Sequence, residues 1–227
     1  MHKIERKKLS NQVYDILKEM IANHRFQPGA RINVEQITKE LGVSRTPVWE
    51  AVSRLEQEDL VENIPNRGVF MAVLTPQKAL DLYAVREVLE GMAARLAAVR
   101  IDQKSLAIME ACLEQQVLVV KQGDLMEYSK LDFRFHATVY ESCGNAYLQE
   151  MLEAIKNKMR PIKLSIQVEP ILPRLYEDHV RLLNALRAHD PDKAEMVFRE
   201  HNQFMIALIN KEAEAGRWRH LGVVGNG

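Results

Sequence analysis

The segment Phe26–Met71 reads FQPGARINVEQITKELGVSRTPVWEAVSRLEQEDLVENIPNRGVFM, and its punctuation sets the architecture of the first third of the chain. Phe26-Gln27-Pro28-Gly29 is a turn that ends whatever precedes it. Asn33 followed by Gln36 is a capping-box signature, so a helix starts at Val34. That helix stops at Leu41-Gly42, where glycine marks the C-terminal stop. Ser44 or Thr46 can cap a further helix, and Pro47 suits its first turn because the N–H groups there lack partners in any case. Val48, Val52 and Leu55 give this helix a buried stripe. After Asp59 the pattern changes to two β-rich runs, Leu60–Ile64 and Val69–Val73, around the turn Pro65-Asn66-Arg67-Gly68, which predicts a hairpin. Upstream, Leu9, Val13, Ile16, Leu17, Met20 and Ile21 recur at helical steps, which predicts a helix over residues 9–24. The order is helix, helix, helix, hairpin.

From Pro76 onward the periodicity is helical throughout. Helices are expected near residues 76–98, 103–121, 124–142, 146–167, 171–188 and 191–215, with Pro161 kinking the fourth. The fold class is therefore mainly α: an N-terminal domain with winged helix-turn-helix layout over residues 1–75, an all-α helical bundle over 76–216, and a tail over 217–227 expected to be disordered in part.

The 227 residues carry a formal net charge of +0, so no overall field steers the chain to nucleic acid. Residues 1–74 hold 11 Lys/Arg against 10 Asp/Glu, and any DNA contact must come from a local patch. Cys112 and Cys143 have no metal-ligand spacing and suit a reducing compartment as small buried hydrophobes. No apolar run approaches the roughly 18 residues of a membrane span. A cytoplasmic protein without membrane contact is expected.

The second helix of the Phe26–Met71 segment opens with Ser44-Arg45-Thr46. Free N–H groups and the positive dipole end at that point favour phosphate, and Arg45 has the fork geometry for guanine. The wing tip Asn66-Arg67-Gly68 suits a narrow minor groove. The bland alternative is a small helical domain with ordinary surface arginines.

These residues resemble the DNA-binding domain of GntR-family bacterial transcription factors, which shows a PG-x-R-L turn, an LGVSRTPVREAL recognition helix and a P-N-R-G wing. The resemblance implies Arg31, Arg45, Arg54, Arg67 and Gly68 as contacts to double-stranded DNA, with Ser44 and Thr46 beside them. Trp49 stands where the family usually has arginine. It either stacks on sugar or a thymine methyl, or packs. Asp59 replaces the usual glycine before Leu60.

The second constellation lies in the helical part. Asp132 and His136 are four apart on a predicted helix and point the same way. His179 and His201 each lie about ten residues from the Asp190-Pro191 turn, so on an antiparallel helix pair they stand level, about 15–17 Å from it. Asp132, His136, His179 and His201 make a divalent-metal set that suits Zn, Ni, Cu or Fe and also admits Mn. The alternative is a group of hydrogen-bonded core histidines.

Residues 76–215 resemble the all-helical effector domain (FCD) of the FadR-type branch of the same family, through Arg86 to Glu90, Asp132 to His136, Gly144 to Leu148, and the two later histidines. The resemblance implies a metal on that Asp and three His, with small carboxylic acids binding beside or onto it. Arg86 is the candidate for gripping the carboxylate, its plain alternative being a surface salt bridge with Glu90. Asn145 reads as a helix cap. The combined expectation is a ligand-responsive, homodimeric regulator of a short DNA palindrome, with Zn, Ni or Mn and a small organic acid as partners. A metalloenzyme with a DNA-binding head and a purely structural metal are the rivals.

Overall fold

The computed structural model describes residues 4–22, 25–122, 124–159 and 169–218. The chain divides into two compact units: the first runs to Thr75 and also takes in Lys158 and Met159, and the second holds the other described residues from Pro76 to Trp218.

The first unit begins with α1 (Ile4–Ala22), followed by β1 (Arg31–Ile32), α2 (Val34–Leu41), α3 (Arg45–Gln57), β2 (Val61–Ile64) and β3 (Gly68–Met71). Asn33 caps α2 as expected, its side chain accepting from the Gln36 N–H at 3.0 Å. Gly42 ends α2 at φ 63°, a conformation that suits a residue without Cβ. The hairpin β2–β3 pairs Ile64 with Gly68 across the wing turn. Sequence reading missed β1, whose Arg31 and Ile32 pair with Phe70 and Val69 to complete a three-stranded sheet in the order β1-β3-β2. Two residues carry no periodicity, so nothing in the sequence announces that strand. Asp59 sits at φ 56°, which gives the family's glycine at this place a conformational reason. Val13 and Leu17 of α1, Ile37 of α2, Val48, Val52 and Leu55 of α3 and Val69 of β3 close one core.

The second unit is helical: α4 (Pro76–Arg100), α5 (Gln103–Gln122), α6 (Leu125–Ser142), α7 (Ala146–Met159), a short 3-10 turn (Glu169–Ile171), α8 (Leu172–Arg187) and α9 (Pro191–Glu214). Asp124 and Asp190 cap α6 and α9 by accepting from the N–H groups of Glu127 and Lys193. Asn145 caps α7, accepting from the Leu148 N–H at 3.1 Å. The predicted kink at Pro161 and the tail beyond Trp218 lie outside the described residues.

Two devices hold the helices that carry the site. Helix α4 packs along α9 through Gly91 and the buried Ala93, Ala94 and Ala97; a Cβ at Gly91 would come within 3.0 Å of Arg199 Cγ. The α8–α9 turn is pinned by His189, which takes φ 51° while its Nδ1 lies 2.7 Å from the Ala98 carbonyl. The core between these helices includes Phe135, Val139, Leu152, Leu182, Leu186 and Phe198. Both cysteines are free and buried within this unit. No helix among the described residues is long and apolar enough to cross a membrane.

Candidate functional site

In the first unit, α3 starts at Arg45 with Ser44 in the cap position, and the Ser44 side chain makes no capping hydrogen bond. Its hydroxyl and the first-turn N–H groups of α3 thus stand at an exposed helix N-terminus, the arrangement that binds phosphate. Ser44, Arg45, Thr46 and Trp49 are all exposed, Trp49 at 41%. Arg45 pairs with Glu35 of α2 at 2.6 Å, an exposed contact that a phosphate can displace. The Arg31 guanidinium lies over Gly68 of the wing, 3.2 Å from where a Cβ would stand, so a side chain there would crowd it. Arg67 is exposed in the wing turn. Arg54, in the last turn of α3, donates to Asn11 at 2.8 Å and sits 3.7 Å above the Tyr14 ring, an attachment of α3 to α1.

In the second unit, His136 of α6, His179 of α8 and His201 of α9 converge, with one donor atom from each lying within 4.8 Å of the others. All three are buried. The His136 and His179 Nε2 atoms are 3.1 Å apart. Two imidazole nitrogens at about 2.1 Å from one cation would stand roughly 3.0–3.4 Å apart, so this spacing is compatible with a shared ion, as it is with a hydrogen bond between the two rings. Asp132 Oδ1 lies 4.0 Å from His136 Nε2 and 3.9 Å from His179 Nε2, beside the triad and not within its close cluster. Phe135, one turn from Asp132, stacks on His179 with ring centroids 4.5 Å apart and sets its orientation. The triad is a donor set able to hold a divalent cation.

The outer shell is carboxylate-rich, and sequence reading did not find it. Glu90 of α4 is fully buried. Its Oε1 accepts from Arg86 Nη2 at 2.8 Å, from His136 Nδ1 at 2.8 Å and from the Tyr140 hydroxyl, and its Oε2 accepts from Asn202 Nδ2 at 2.7 Å. Burial alone would raise the Glu90 pKa, but the Arg86 charge and the bonds from His136 and Tyr140 hold it well below the usual carboxylate range. An ionised Glu90 fixes His136 as the Nδ1–H tautomer and turns its Nε2 lone pair into the site. Burial, and then the Arg86 charge, lower the His136 pKa despite the opposing pull of Glu90, which keeps the imidazole neutral and competent as a ligand. Asp178, buried and held by Arg174 at 3.1 Å and Arg181 at 3.2 Å, faces His201 Nδ1 at 3.7 Å and leaves the other ring nitrogen for the site.

Arg86 and Glu90 form the ion pair that was the alternative to a carboxylate-gripping role, but its side chains are only 11% and 0% exposed, so it is a buried pair rather than a surface one. Arg86 Nη2 also lies 3.0 Å from His136 Nδ1. The one signal for Glu90 in the sequence was its place four residues after Arg86. Asp178 had only its adjacency to His179.

Comparison with known proteins agrees with this geometry. Residues 9–71 match the model of bacterial regulatory proteins of the gntR family, and residues 81–204 match that of the FCD domain. The chain is similar to the HTH-type transcriptional regulator YdhC of Bacillus subtilis, 30% identical over 91% of this chain and 83% of the relative. It is also similar to the HTH-type transcriptional repressor RspR of Escherichia coli, 26% identical over 86% of each chain. The solved structure of E. coli McbR/YncC superposes with a TM-score of 0.78 at 25% identity, covering 90% of this chain and 98% of that one. These relatives are transcriptional regulators and not enzymes, which sets aside the metalloenzyme reading. The chain belongs to the gntR family of bacterial transcriptional regulators, in the FadR-like branch that carries an FCD domain.

Proposed function

We propose that the chain is a cytoplasmic, homodimeric regulator that reads a short DNA palindrome and answers to a small carboxylate bound at a metal centre. The observation that supports this reading is the convergence of three buried imidazoles, with the Asp132 carboxylate about 4 Å from two of them. Asp132, His136, His179 and His201 hold the ion; the mixed nitrogen and oxygen donors favour Zn, Ni or Mn. A cation there supplies an electrophilic seat for a carboxylate in the positions the protein leaves open. Arg86, a buried guanidinium beside His136, adds positive potential for that anion.

In the first unit Ser44, Arg45 and Thr46 meet phosphates and base edges from the start of α3. Trp49 offers an exposed face to sugar or a thymine methyl. Arg31, Arg67 and Gly68 form the wing contact, and Arg54 contributes at the far end of α3 while bracing Tyr14. Pairing of two copies is supported by Val85, Val88 and Met92 of α4, which are 49%, 52% and 48% exposed and spaced as one stripe. Two heads related by a two-fold axis read two half-sites of a palindrome.

The test is metal content and operator binding in one preparation. The double change His179→Ala and His201→Ala is expected to strip the metal on elemental analysis while the chain still folds by circular dichroism. Arg45→Ala is expected to abolish the specific footprint without touching the metal. Unchanged metal content in the histidine variant would overturn the sensor, and a retained footprint would overturn the assignment of α3.

A further inference from the structure

The two sides of α3 divide by residue type. Pro47, Val48, Ala51, Val52 and Leu55 are buried and define its core side. With about 100° between successive residues, Thr46 and Ser53 fall opposite that side, Arg45 and Trp49 fall together on one flank, and Glu50 falls on the other. All five are exposed. Trp49 is the aromatic residue among them, whereas the chain's other tryptophan, Trp218, is buried. An indole on this face shows apolar surface to water and offers one N–H donor and no acceptor. It cannot make the two-pronged pair by which Arg picks out guanine or Asn picks out adenine.

We propose that Trp49 is a specificity-determining residue that reads the C5-methyl group of a pyrimidine: thymine in the operator, and 5-methylcytosine where that base takes the place of thymine. The inference rests on α3 being the recognition helix, and goes beyond it by naming the group that is read. Base edges in the major groove are donors and acceptors, with the thymine methyl as the apolar group among them, and the flanking backbone is phosphate and sugar. An apolar ring entering that groove therefore gains most over the methyl. Placement on α3 agrees. Thr46 and Ser53 are short, so the outward line of the helix can come close to the groove floor. Trp49 stands one turn after Arg45 and beside that line, which sets its ring between the floor and one strand. The 5-methyl projects into the groove on the side of the pyrimidine's own strand. Because the contact is to the methyl and not to the pairing atoms, a methylated cytosine satisfies it as thymine does.

Deoxyuridine tests this, since it lacks the methyl and keeps every hydrogen-bonding atom of thymine. An operator is selected from a random duplex library with the unaltered full chain. Each thymine is then replaced in turn, in one half-site and in both, and Kd is read by fluorescence anisotropy at one salt concentration. One thymine position is expected at which the replacement weakens binding about fourfold in one half-site and about fifteenfold in both, as the loss of a buried methyl predicts. Cytosine at that position should weaken binding, and 5-methylcytosine should recover about the same factor over cytosine. Trp49→Ala should bind the thymine and deoxyuridine operators equally. Deoxyuridine tolerated at every position overturns the proposal, and this scan stands on the unaltered chain should the variant fail to fold. A methyl effect of unchanged size in Trp49→Ala also overturns it, by leaving the methyl to another side chain and the ring to the sugar. Arg45→Ala separates this failure from failure of the helix assignment: a footprint retained in that variant removes α3 as the reader, whereas a lost footprint beside a neutral deoxyuridine scan removes the role of Trp49 alone.

Discussion

Glu90 takes hydrogen bonds from four side chains, on α4, α6 and α9, and one of them is the candidate ligand His136. Such a carboxylate serves two ends. It neutralises the buried Arg86, and it dictates which nitrogen of His136 faces the ion. Glu90→Gln keeps the shape and removes the charge. Arg86 is then a buried cation without its partner, and one amide end of Gln must turn an N–H toward a group that itself donates. Breaking a buried pair in this way costs about 3–5 kcal/mol. Loss of an orienting outer carboxylate lowers metal affinity by about 10–100-fold. Urea denaturation of the metal-free chain and competition with a chromophoric chelator read the two effects separately; unaltered metal affinity would show that His136 needs no such orienter. The convergence of the three histidines was legible because helical rules such as equal depth from a turn apply to sequence directly. Glu90 and Asp178 were not, because Arg-x-x-x-Glu has the same spacing on a solvated face as in a core. Only tertiary packing sets the difference.

Among the elements, the passage from α2 to α3 positions the recognition helix, and glycine at its hinge is there for backbone reasons alone. Gly42 adopts φ 63° and a Cβ would meet nothing within 4 Å. Gly42→Ala therefore isolates the conformational penalty, about 1 kcal/mol, with no clash added. Calorimetry should show the first unit less stable by that amount, while operator affinity measured well below the transition stays within about twofold. A much larger loss of stability would mean that the cap does more than admit a left-handed residue. Gly68 differs, since its Cβ would press on the Arg31 guanidinium. Elements with chemical punctuation could be read in advance: Asn33 and Gly42 bounded α2, and Asp190-Pro191 opened α9. Two features without punctuation could not. Strand β1 exists because β3 offers Phe70 and Val69 a partner, and His189 holds a left-handed turn because the Ala98 carbonyl lies within reach of its ring.

At the scale of the whole molecule, a DNA-reading unit and a ligand-binding unit share one chain, and thermodynamics constrains how they influence each other. A carboxylate at the metal centre changes operator affinity only to the extent that it binds the DNA-competent state differently from the other state. The same factor must appear in reverse, because coupling between binding sites is reciprocal. With an operator selected from a random duplex library, fluorescence anisotropy gives its Kd with and without saturating carboxylate on the metal-loaded chain. Calorimetry gives the Kd of the carboxylate with and without saturating operator. We expect equal factors of about five or more, in keeping with the usual 1–3 kcal/mol of coupling. Both measurements need one salt concentration, since operator affinity falls steeply with salt even for a chain whose net charge is +0. A carboxylate that binds tightly yet leaves operator affinity unchanged would make the factor one in both directions. The metal centre would then be a structural fastening of α6, α8 and α9, and the DNA-reading unit would act without a signal from it.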